Sequence, residues 1–562
     1  MNLTRRKLVG WIIAVAALCL AWFLYSLFGP NPPIIVSRET TYITEPLGED
    51  GLPDYVAYWV QQASEGVTPE NNASVLIWQA IWPADLEEKH WRSFCAALGM
   101  QIPSGDESLV PADSKQVRQE LTTWLADRFD KPVELELEHW EEKLDGTAYE
   151  VVDEARERPW TSEKIPALAH WVKGNERPID LFVQAAERPR YYSPAPSLYS
   201  DRDHGLVTVL LPDIQNIRTA ARSLKLRAMQ RLGDGQLEEA WKDLRACHRL
   251  ARLTAQDATL VSQLVAIAVN GITCTGTQQL LAAPGMSERL SEQILVELSN
   301  MGSVSDIARS LDQGERLYYL DTMLRVAKGD VSINELVVSY SARGLDGGLE
   351  DLLSRTRIDW NQLLESGNRW YDRFTAAMRL DTRTDRLKEY DRIDRKLHEL
   401  DGAVKRPLAL LGSLFSRYQR GEMVGDFMLA FSLPSLQASS NAQDRSATTS
   451  ELTRLAAALA VYRARHGEYP DNLAALVPDI LPELPLDLYS NKPFHYQRKP
   501  DGGYLLYSVF ENGVDDGGTH AWENIVNGEW VDEPQDVDWN KSDLVIRVPV
   551  PPFRLPDPPV AE

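Results

Sequence analysis

The sequence predicts an α+β protein that is mostly helical, with one membrane-spanning helix at its N-terminus and a small antiparallel sheet near its C-terminus. Three observations support this prediction. Residues 8–28 carry no charge, apolar residues recur at helical spacing through much of residues 51–440, and residues 502–518 combine a strand pattern with glycine turns. A chain of 562 residues is too long for one ordinary core, so we expect several domains.

The composition is that of a folded protein, and it argues against a nucleic-acid partner. The hydrophobic fraction is 44% and the charged fraction is 25%. The formal net charge is −23, and no basic stripe with interleaved aromatic residues is present. Because a phosphate backbone would be repelled by such a chain, we expect no nucleic acid among its partners.

The N-terminus predicts a single-pass membrane anchor. Arg5, Arg6 and Lys7 precede the uncharged residues 8–28, which are long enough for one transmembrane helix. Since positive residues stay on the cytoplasmic side, residues 1–7 form a cytoplasmic basic tail and the bulk of the chain lies in the periplasm, across the cell inner membrane. A cleaved signal peptide is the alternative, but the apolar run ends in FGPNPP without a small-residue cleavage site.

After the anchor, the sequence predicts a linker and then a large helical region. Proline-punctuated residues 29–50 predict an extended linker, and residues 51–205 are mainly helical. Residues 206–440 predict a helical bundle whose first hairpin breaks at Gly233-Asp234-Gly235 and resembles a tetratricopeptide unit. One such unit is present where an array needs about three, so a bundle is favoured. Arginine–aromatic mixtures such as ERLYYLDTMLRVAKG and NRWYDRFTAAMRL continue this region.

The C-terminal part predicts a separate α+β domain over residues 451–562. The small polar segment SLQASSNAQDRSATTS (435–450) predicts an interdomain link at its start. The following helix places Leu452, Leu455, Leu459 and Tyr462 on one apolar face, because they are spaced by three and four residues. Strand-forming residues with flanking glycine turns then predict a hairpin sheet.

The ordered motifs of residues 451–518 resemble the globular region of the major pseudopilin of type II secretion systems. In that family a helix ends in Y-x-x-x-x-G-x-Y-P, an LP-x-DP-W/Y-G-x-P-Y-x-Y segment follows, and strands end in YSxGxDG with a calcium loop. The matching residues here are Tyr462, Gly467, Tyr469, Pro470, Leu484, Pro485, Asp487, Pro493, Tyr496, Tyr507, Ser508 and Asp515. Leu488 and Asn491 replace the family's proline and glycine, and the residues after Gly10 lack the family's N-terminal processing motif. The whole chain also resembles a group of large bacterial membrane-anchored proteins of unknown activity, a likeness that implies architecture and location only.

The stretch LYSVFENGVDDGG (506–518) raises the question of a metal site. Asp515 and Asp516 lie on a glycine-rich loop, and carboxylates are the hard oxygen ligands that Ca²⁺ prefers. The resemblance adds Asp543, at the position where the pseudopilin loop returns into a strand. The sequence favours a solvated acidic turn that closes the sheet, without a cofactor. The alternative is a structural calcium ion bound by these three residues with help from carbonyl or water oxygens.

No catalytic motif is present, so the sequence favours a non-catalytic scaffold that binds proteins in secretion or envelope organisation. The chain lacks G-x-S-x-G, Walker, H-E-x-x-H and Rossmann patterns. Its cysteines show no C-x-x-C spacing, and buried free thiols are expected. The acidic and histidine-containing segment 201–204 predicts an exposed loop rather than a metal site, and His248 predicts a structural role. The alternative function is an exported hydrolase whose site is assembled from distant residues.

Overall fold

We describe the protein from a computed structural model of the full chain. The described residues are 2–82, 88–103, 105, 107–129, 137–194, 205–206, 212–331, 357–404, 416–430, 433–520, 525–526, 529–530 and 542–558. The predicted loop at 201–204 lies outside them. The architecture is mostly helical with a small antiparallel sheet, as the sequence predicts.

Helices make up nearly all of the regular structure up to residue 466. In the first part of the chain they are α1 Asn2–Phe28, α2 Tyr55–Ser64, α3 Ala73–Ala80, α4 Glu88–Leu98, α5 Lys115–Ala126, α6 Leu137–Glu157, α7 Pro166–Gly174 and α8 Glu176–Ala185. The later helices are α9 Pro212–Gly233, α10 Leu237–Thr254, α11 Leu260–Ala282, α12 Glu288–Asn300, α13 Ile307–Arg309, α14 Arg316–Lys328, α15 Trp360–Met378, α16 Arg383–Val404, α17 Arg417–Ala430 and α18 Leu433–His466. A π-helical turn, Ser310–Glu315, joins α13 to α14 without a break.

Helix α1 contains the only described segment that is both long and apolar enough to cross a membrane and left uncovered by the rest of the described protein. The segment Lys7–Phe28 has no buried residue in its most apolar stretch. Helix α11 also passes the test of length and composition, but more than half of it is buried. Since α11 packs between α9, α10 and α18, it is a core helix of the bundle.

The linker after α1, residues 29–50, packs against the helical region. Asn361 of α15 accepts a hydrogen bond from the Ile35 amide at 2.8 Å. About two helical turns later, the Asn368 side chain donates to the backbone carbonyls of Glu39 and Thr40 at 2.9 and 2.8 Å. These side-chain amides replace the backbone partners that an extended segment lacks, and they fix its path along α15.

The predicted hairpin is present, and its glycines have distinct physical roles. Helices α9 and α10 pack together across the break at Gly233-Asp234-Gly235. A Cβ atom on Gly233 would lie 2.0 Å from the Trp160 carbonyl oxygen, so only glycine permits this approach. Gly235 has φ +78°, a conformation that side chains disfavour. The prediction of a turn here is confirmed.

The expected interdomain link at 435–450 is wrong, because α18 runs without a break from Leu433 to His466. Several small polar residues of this segment are buried, namely Ser439, Ser440, Ser446 and Thr448. Ser446 and Ser450 accept hydrogen bonds from the Asn270 amide of α11 at 3.1 and 3.0 Å. Short side chains let α18 approach α11 and α12 closely, and the hydroxyl groups satisfy polar partners inside the contact. The low apolar content of the segment therefore reflects close helix packing.

A three-stranded antiparallel sheet follows α18. Its strands are β1 His495–Arg498, β2 Tyr504–Ser508 and β5 Leu544–Val548, in the order β1-β2-β5, and a separate two-stranded ribbon pairs β3 Ile525–Val526 with β4 Glu529–Trp530. Strand β2 is buried along its whole length. The predicted helix face is confirmed, since Leu452, Leu455 and Leu459 are buried in a core that also contains β2 and β5. That core is continuous with the helical bundle, and the division of the chain at residue 451 stays a prediction.

Candidate functional site

The three predicted carboxylates lie at one edge of the sheet because of its topology. Strands β2 and β5 are antiparallel neighbours, and Ser508 pairs with Leu544 at the end of β2. Asp515 and Asp516 follow β2 after a turn, while Asp543 immediately precedes β5. The end of one strand and the start of its neighbour meet at the same edge, so the loop and Asp543 are brought together.

Two consecutive left-handed glycines shape the loop around these carboxylates. Gly517 and Gly518 have φ values of +71° and +77°. In this conformation the Gly517 amide donates to Asp515 Oδ1 at 3.0 Å, and the Gly518 amide donates to Asp543 Oδ2 at 2.8 Å. The glycine pair that the sequence displays is therefore required to turn backbone N–H groups toward carboxylate oxygens.

Asp515 is engaged on the outer side of the loop. Its Oδ1 accepts a hydrogen bond from the Tyr507 hydroxyl at 2.8 Å, and its Oδ2 lies 3.3 Å from Nδ1 of His495. Burial opposes ionisation of Asp515, but the hydrogen bonds from Gly517 and Tyr507 outweigh it and lower its pKa. Asp515 is consequently an ionised group that already has partners.

Asp516 lies beside the start of β5. Its Oδ2 accepts hydrogen bonds from the Asn512 amide at 2.7 Å and from the Ser542 backbone N–H at 3.2 Å. Its backbone carbonyl accepts from the Thr519 hydroxyl at 2.9 Å. The side chain is thus held next to the residue that precedes Asp543.

Asp543 is the least compensated carboxylate of the loop. It is completely buried, and its Oδ2 accepts from the backbone N–H groups of Gly518 and Thr519. Its Oδ1 has no hydrogen-bond partner among the residues that the structure describes. Burial, with the nearby carboxylates of Asp516 and Asp515, raises the pKa of Asp543 to about 7. A buried carboxylate oxygen without a donor is costly unless a cation or a proton meets it.

The arrangement fits a cation in part. In the described ranges no three His, Cys, Asp or Glu side chains converge closely enough to hold a metal ion. Asp516 and Asp543 lie together, whereas Asp515 is turned toward Tyr507 and His495. Since Ca²⁺ takes six to eight oxygens, carbonyl and water oxygens would have to complete the set.

Asp487, a motif residue in the sequence, has a structural role. It is completely buried and accepts four hydrogen bonds, from the backbone N–H groups of Tyr489 and Val509 and from the hydroxyl groups of Ser490 and Ser508. These bonds tie the proline-rich segment before β1 to the end of β2. Its oxygens are committed to the fold, so Asp487 is not available as a ligand.

A second feature, which we call the arginine pocket, was not predicted from the sequence. It is a pocket of about 590 Å³ between the linker, the π-helical turn and α15. Its charged lining residues are Arg38, Glu39, Asp312, Arg316, Glu365, Arg369, Asp372 and Arg379. Arginines and carboxylates are equal in number, four of each, and Arg316, Arg369 and Arg379 each pair with a carboxylate of the same pocket.

Arg316 is the centre of the arginine pocket. Its side chain is buried, and Nη2 donates to Asp312 Oδ1 and Asp372 Oδ1 at 2.7 Å each. The guanidinium lies 4.3 Å from the ring centroid of Tyr42, within the range of a cation–π contact. Nε of Arg316 has no partner among the described groups.

Backbone irregularities support the functional interest of this pocket. Tyr42 has φ +62°, which is an uncommon conformation for a residue with a side chain. The π-helical turn places Asp312 one turn before Arg316, and such turns recur at functional sites. The arginine–aromatic composition of the segments around Arg316 and Asp372 was the one sequence signal that pointed here.

Comparison of the chain with protein-family models, with curated proteins and with solved structures finds no match.

Proposed function

We propose that this protein is a single-pass membrane-anchored extracytoplasmic scaffold, without catalytic activity, that binds partner proteins in secretion or envelope organisation. The observation that carries the proposal is the uncovered apolar helix α1. A surface of this length and apolarity is stable in a lipid bilayer and costly in water. The basic cluster before it favours an N-terminus in the cytoplasm and a periplasmic body on the cell inner membrane.

The junction between α1 and the body supports a rigid anchor. Arg417 of α17 donates to the carbonyl of Tyr25 and lies over its ring at 4.5 Å, and its Nε donates to the carbonyl of Ser26 at 3.0 Å. Arg420, which is buried, also donates to the carbonyl of Ser26. Two arginines thus satisfy carbonyls at the end of the helix, where cations are favoured. A scaffold held in this way presents its surfaces in a fixed orientation to the membrane.

The orientation is tested by protease treatment of intact spheroplasts. We expect trypsin to degrade the body while a fragment containing α1 stays with the membrane fraction. A cytoplasmic marker protein must remain intact as the control. Protection of the body under these conditions would contradict the proposed topology.

We propose the arginine pocket as a docking site for a partner protein. Arginine and tyrosine are enriched where proteins bind one another, and a pocket with both charge signs suits a polar segment of a partner. The exposed rim residue Arg379 contacts the pocket carboxylate Asp312 at 3.6 Å, so it lies where a partner would approach.

Docking is tested with a photo-crosslinking residue at position 379, and with the same residue at the exposed Val296 of α12 as the matched control. We expect an adduct in membranes at 379 and none at 296, and we expect Arg316→Met to abolish it. Adducts of equal yield at both positions would contradict docking at this pocket.

We also propose that the C-terminal module is pseudopilin-like and that its loop binds a structural calcium ion through Asp516 and Asp543, with Asp515 recruited on binding. The order of a long helix, a proline turn and an antiparallel sheet supports the first part. The bare Oδ1 of the buried Asp543 supports the second. A cation there would compensate the repulsion that raises the pKa of Asp543.

A further inference from the structure

A second cavity lies inside the helical bundle, away from both sites described above. Its volume is about 280 Å³, it is lined by α10, α11, α18 and the segment that joins α12 to α13, and it opens to solvent beside the exposed Gly302, Ser303 and Ala447. This volume holds several water molecules or a small organic molecule, and polar side chains from all of these elements line it.

His248, which lines this cavity, has a bare acceptor, by which we mean a buried acceptor atom without a donor among the described residues. It is buried, and its Nε2 lies 3.0 Å from the Thr277 hydroxyl. That hydroxyl donates its own hydrogen to the Thr273 carbonyl at 2.9 Å, so it can only accept from the histidine. The hydrogen of the neutral ring is therefore on Nε2, and the lone pair of Nδ1 meets no donor in the described part of the chain. Burial, with the positive charge of Arg252, lowers the pKa of His248 to about 3, which keeps the ring neutral.

Asn270 presents a second bare acceptor. Its Nδ2 donates to the hydroxyl oxygens of Ser446 and Ser450. Because the Ser450 hydroxyl donates to the Ser446 carbonyl at 2.9 Å, it must accept from the amide, which fixes the orientation of the Asn270 side chain. Oδ1 of Asn270 is then buried without a donor from any described residue.

Arg252 adds a positive charge that no carboxylate neutralises. It lines the cavity one turn after His248, and its guanidinium donates to the backbone carbonyls of Gly302 at 3.0 Å and His248 at 2.9 Å. No carboxylate contributes to its electrostatics among the described residues, and burial lowers its pKa. Glu451, which also lines the cavity, is held by Arg454 at 2.7 Å. A guanidinium in this setting favours an anionic group of a ligand.

The spacing of these groups sets the size of the ligand. Asn270, Cys274 and Thr277 follow one face of α11, and the seven residues from Asn270 to Thr277 rise about 10 Å. His248 is hydrogen-bonded to Thr277, and Asn270 lies seven residues earlier on α11, so the two residues lie at different levels of the cavity wall. A ligand with a chain of about four carbon atoms, hydrogen-bonded to the protein at both ends, spans this distance.

We infer that this cavity binds a small hydroxylated carboxylate, whose carboxylate group pairs with Arg252 and whose hydroxyl groups donate to His248 Nδ1 and Asn270 Oδ1. Such a molecule meets the one uncompensated charge and both bare acceptors of the cavity. The site is independent of the scaffold function and of the calcium loop.

The test is calorimetric titration of the intact protein in detergent with erythronate, a four-carbon hydroxylated carboxylate. Erythritol lacks the carboxylate and butyrate lacks the hydroxyl groups, so they are matched controls that need no variant. We expect saturable binding of erythronate at least ten times tighter than that of either control. Equal binding of all three compounds, or none, would show a cavity that holds only water and would overturn the inference.

Variants of Arg252 test whether this side chain binds the carboxylate group of erythronate. Arg252→Gln should weaken erythronate binding at least tenfold, and Arg252→Lys should restore part of it because the charge returns. Arg249→Gln is the matched control, since Arg249 lies on the outer side of α10 and pairs with Glu187. Equal affinity of the Arg252→Gln protein and the wild-type protein would also overturn the inference.

Discussion

Two carboxylates that are completely excluded from solvent, one in the helical bundle and one at the sheet edge, are compensated very differently. Asp243 of α10 receives Nη2 and Nε of Arg227 at 2.7 and 3.1 Å, and Nη1 of Arg231 at 2.8 Å. Both of its oxygens meet cationic donors. Asp543 receives only backbone N–H groups on one oxygen, while its other oxygen has no partner in the described ranges.

The difference separates a carboxylate whose charge is balanced by neighbouring arginines from one whose charge no described residue balances. Arg227 is itself shared between Asp243 and Asp180, so the charges of the bundle close into a network within the protein. Breaking a closed network leaves a buried charge without its counterion. At the sheet edge, the neighbouring carboxylates of Asp515 and Asp516 add repulsion, and no described residue donates to the second oxygen of Asp543.

The largest effect is expected from breaking the closed network. Asp243→Asn leaves Arg227 and Arg231 without the charge that they share, and we expect it to lower the free energy of unfolding by about 3–5 kcal/mol. Glu238→Gln, on the exposed side of the same helix, should change it by less than about 0.5 kcal/mol. Thermal unfolding of the intact protein in detergent, followed by tryptophan fluorescence, measures both. Equal melting of the two variants would show that the network does not stabilise the bundle.

An intermediate effect is expected from His248, a neutral buried group with one bare nitrogen. Its pKa of about 3 in the folded protein is below its value of about 6.5 in the unfolded chain, so the unfolded chain binds the proton first as the pH falls. The contribution of His248 to the free energy of unfolding is complete above pH 6.5 and decreases as the pH falls below 6.5. Between pH 6.5 and pH 4.5 we expect a loss of about 2 kcal/mol that His248→Gln does not show. The comparison of the two pH profiles isolates this histidine, and parallel profiles would count against a buried neutral ring.

The smallest effect, with the opposite sign, is expected from Asp543. In the presence of a chelator at pH 8, Asp543→Asn removes a buried charge that nothing compensates, so we expect it to raise the free energy of unfolding by about 1 kcal/mol. Glu483→Gln, an exposed acidic position in the same module, should have no effect. A marked loss of stability in the Asp543→Asn protein under these conditions would show that Asp543 is compensated within the fold, as Asp243 is.

The sequence predicted elements whose signals are local. The uncharged run gave α1, the Gly233-Asp234-Gly235 break gave the end of α9, and the pattern around Tyr504–Ser508 gave β2. The start of α18 was missed because its buried face is made of serine and threonine, whose small size suits close packing but carries no apolar period.

The sites depend on contacts that no local pattern contains. Asp515 and Asp516 could be named from the loop, but the bare oxygen of Asp543 depends on how β5 returns to β2. The arginine pocket pairs Tyr42 with Arg316, and these residues are brought together only by the packing of the linker on α15. Compensation of a buried charge is a property of the tertiary structure, since its partners come from distant segments.

The most direct test of the central claim is a calorimetric titration of Ca²⁺ into the intact protein and into its Asp543→Asn variant, with melting measured in Ca²⁺ and in chelator. The account predicts saturable binding and a raised melting temperature for the wild-type protein, and neither change for the variant. Absence of binding to the wild-type protein, together with melting that the chelator leaves unchanged, would contradict it.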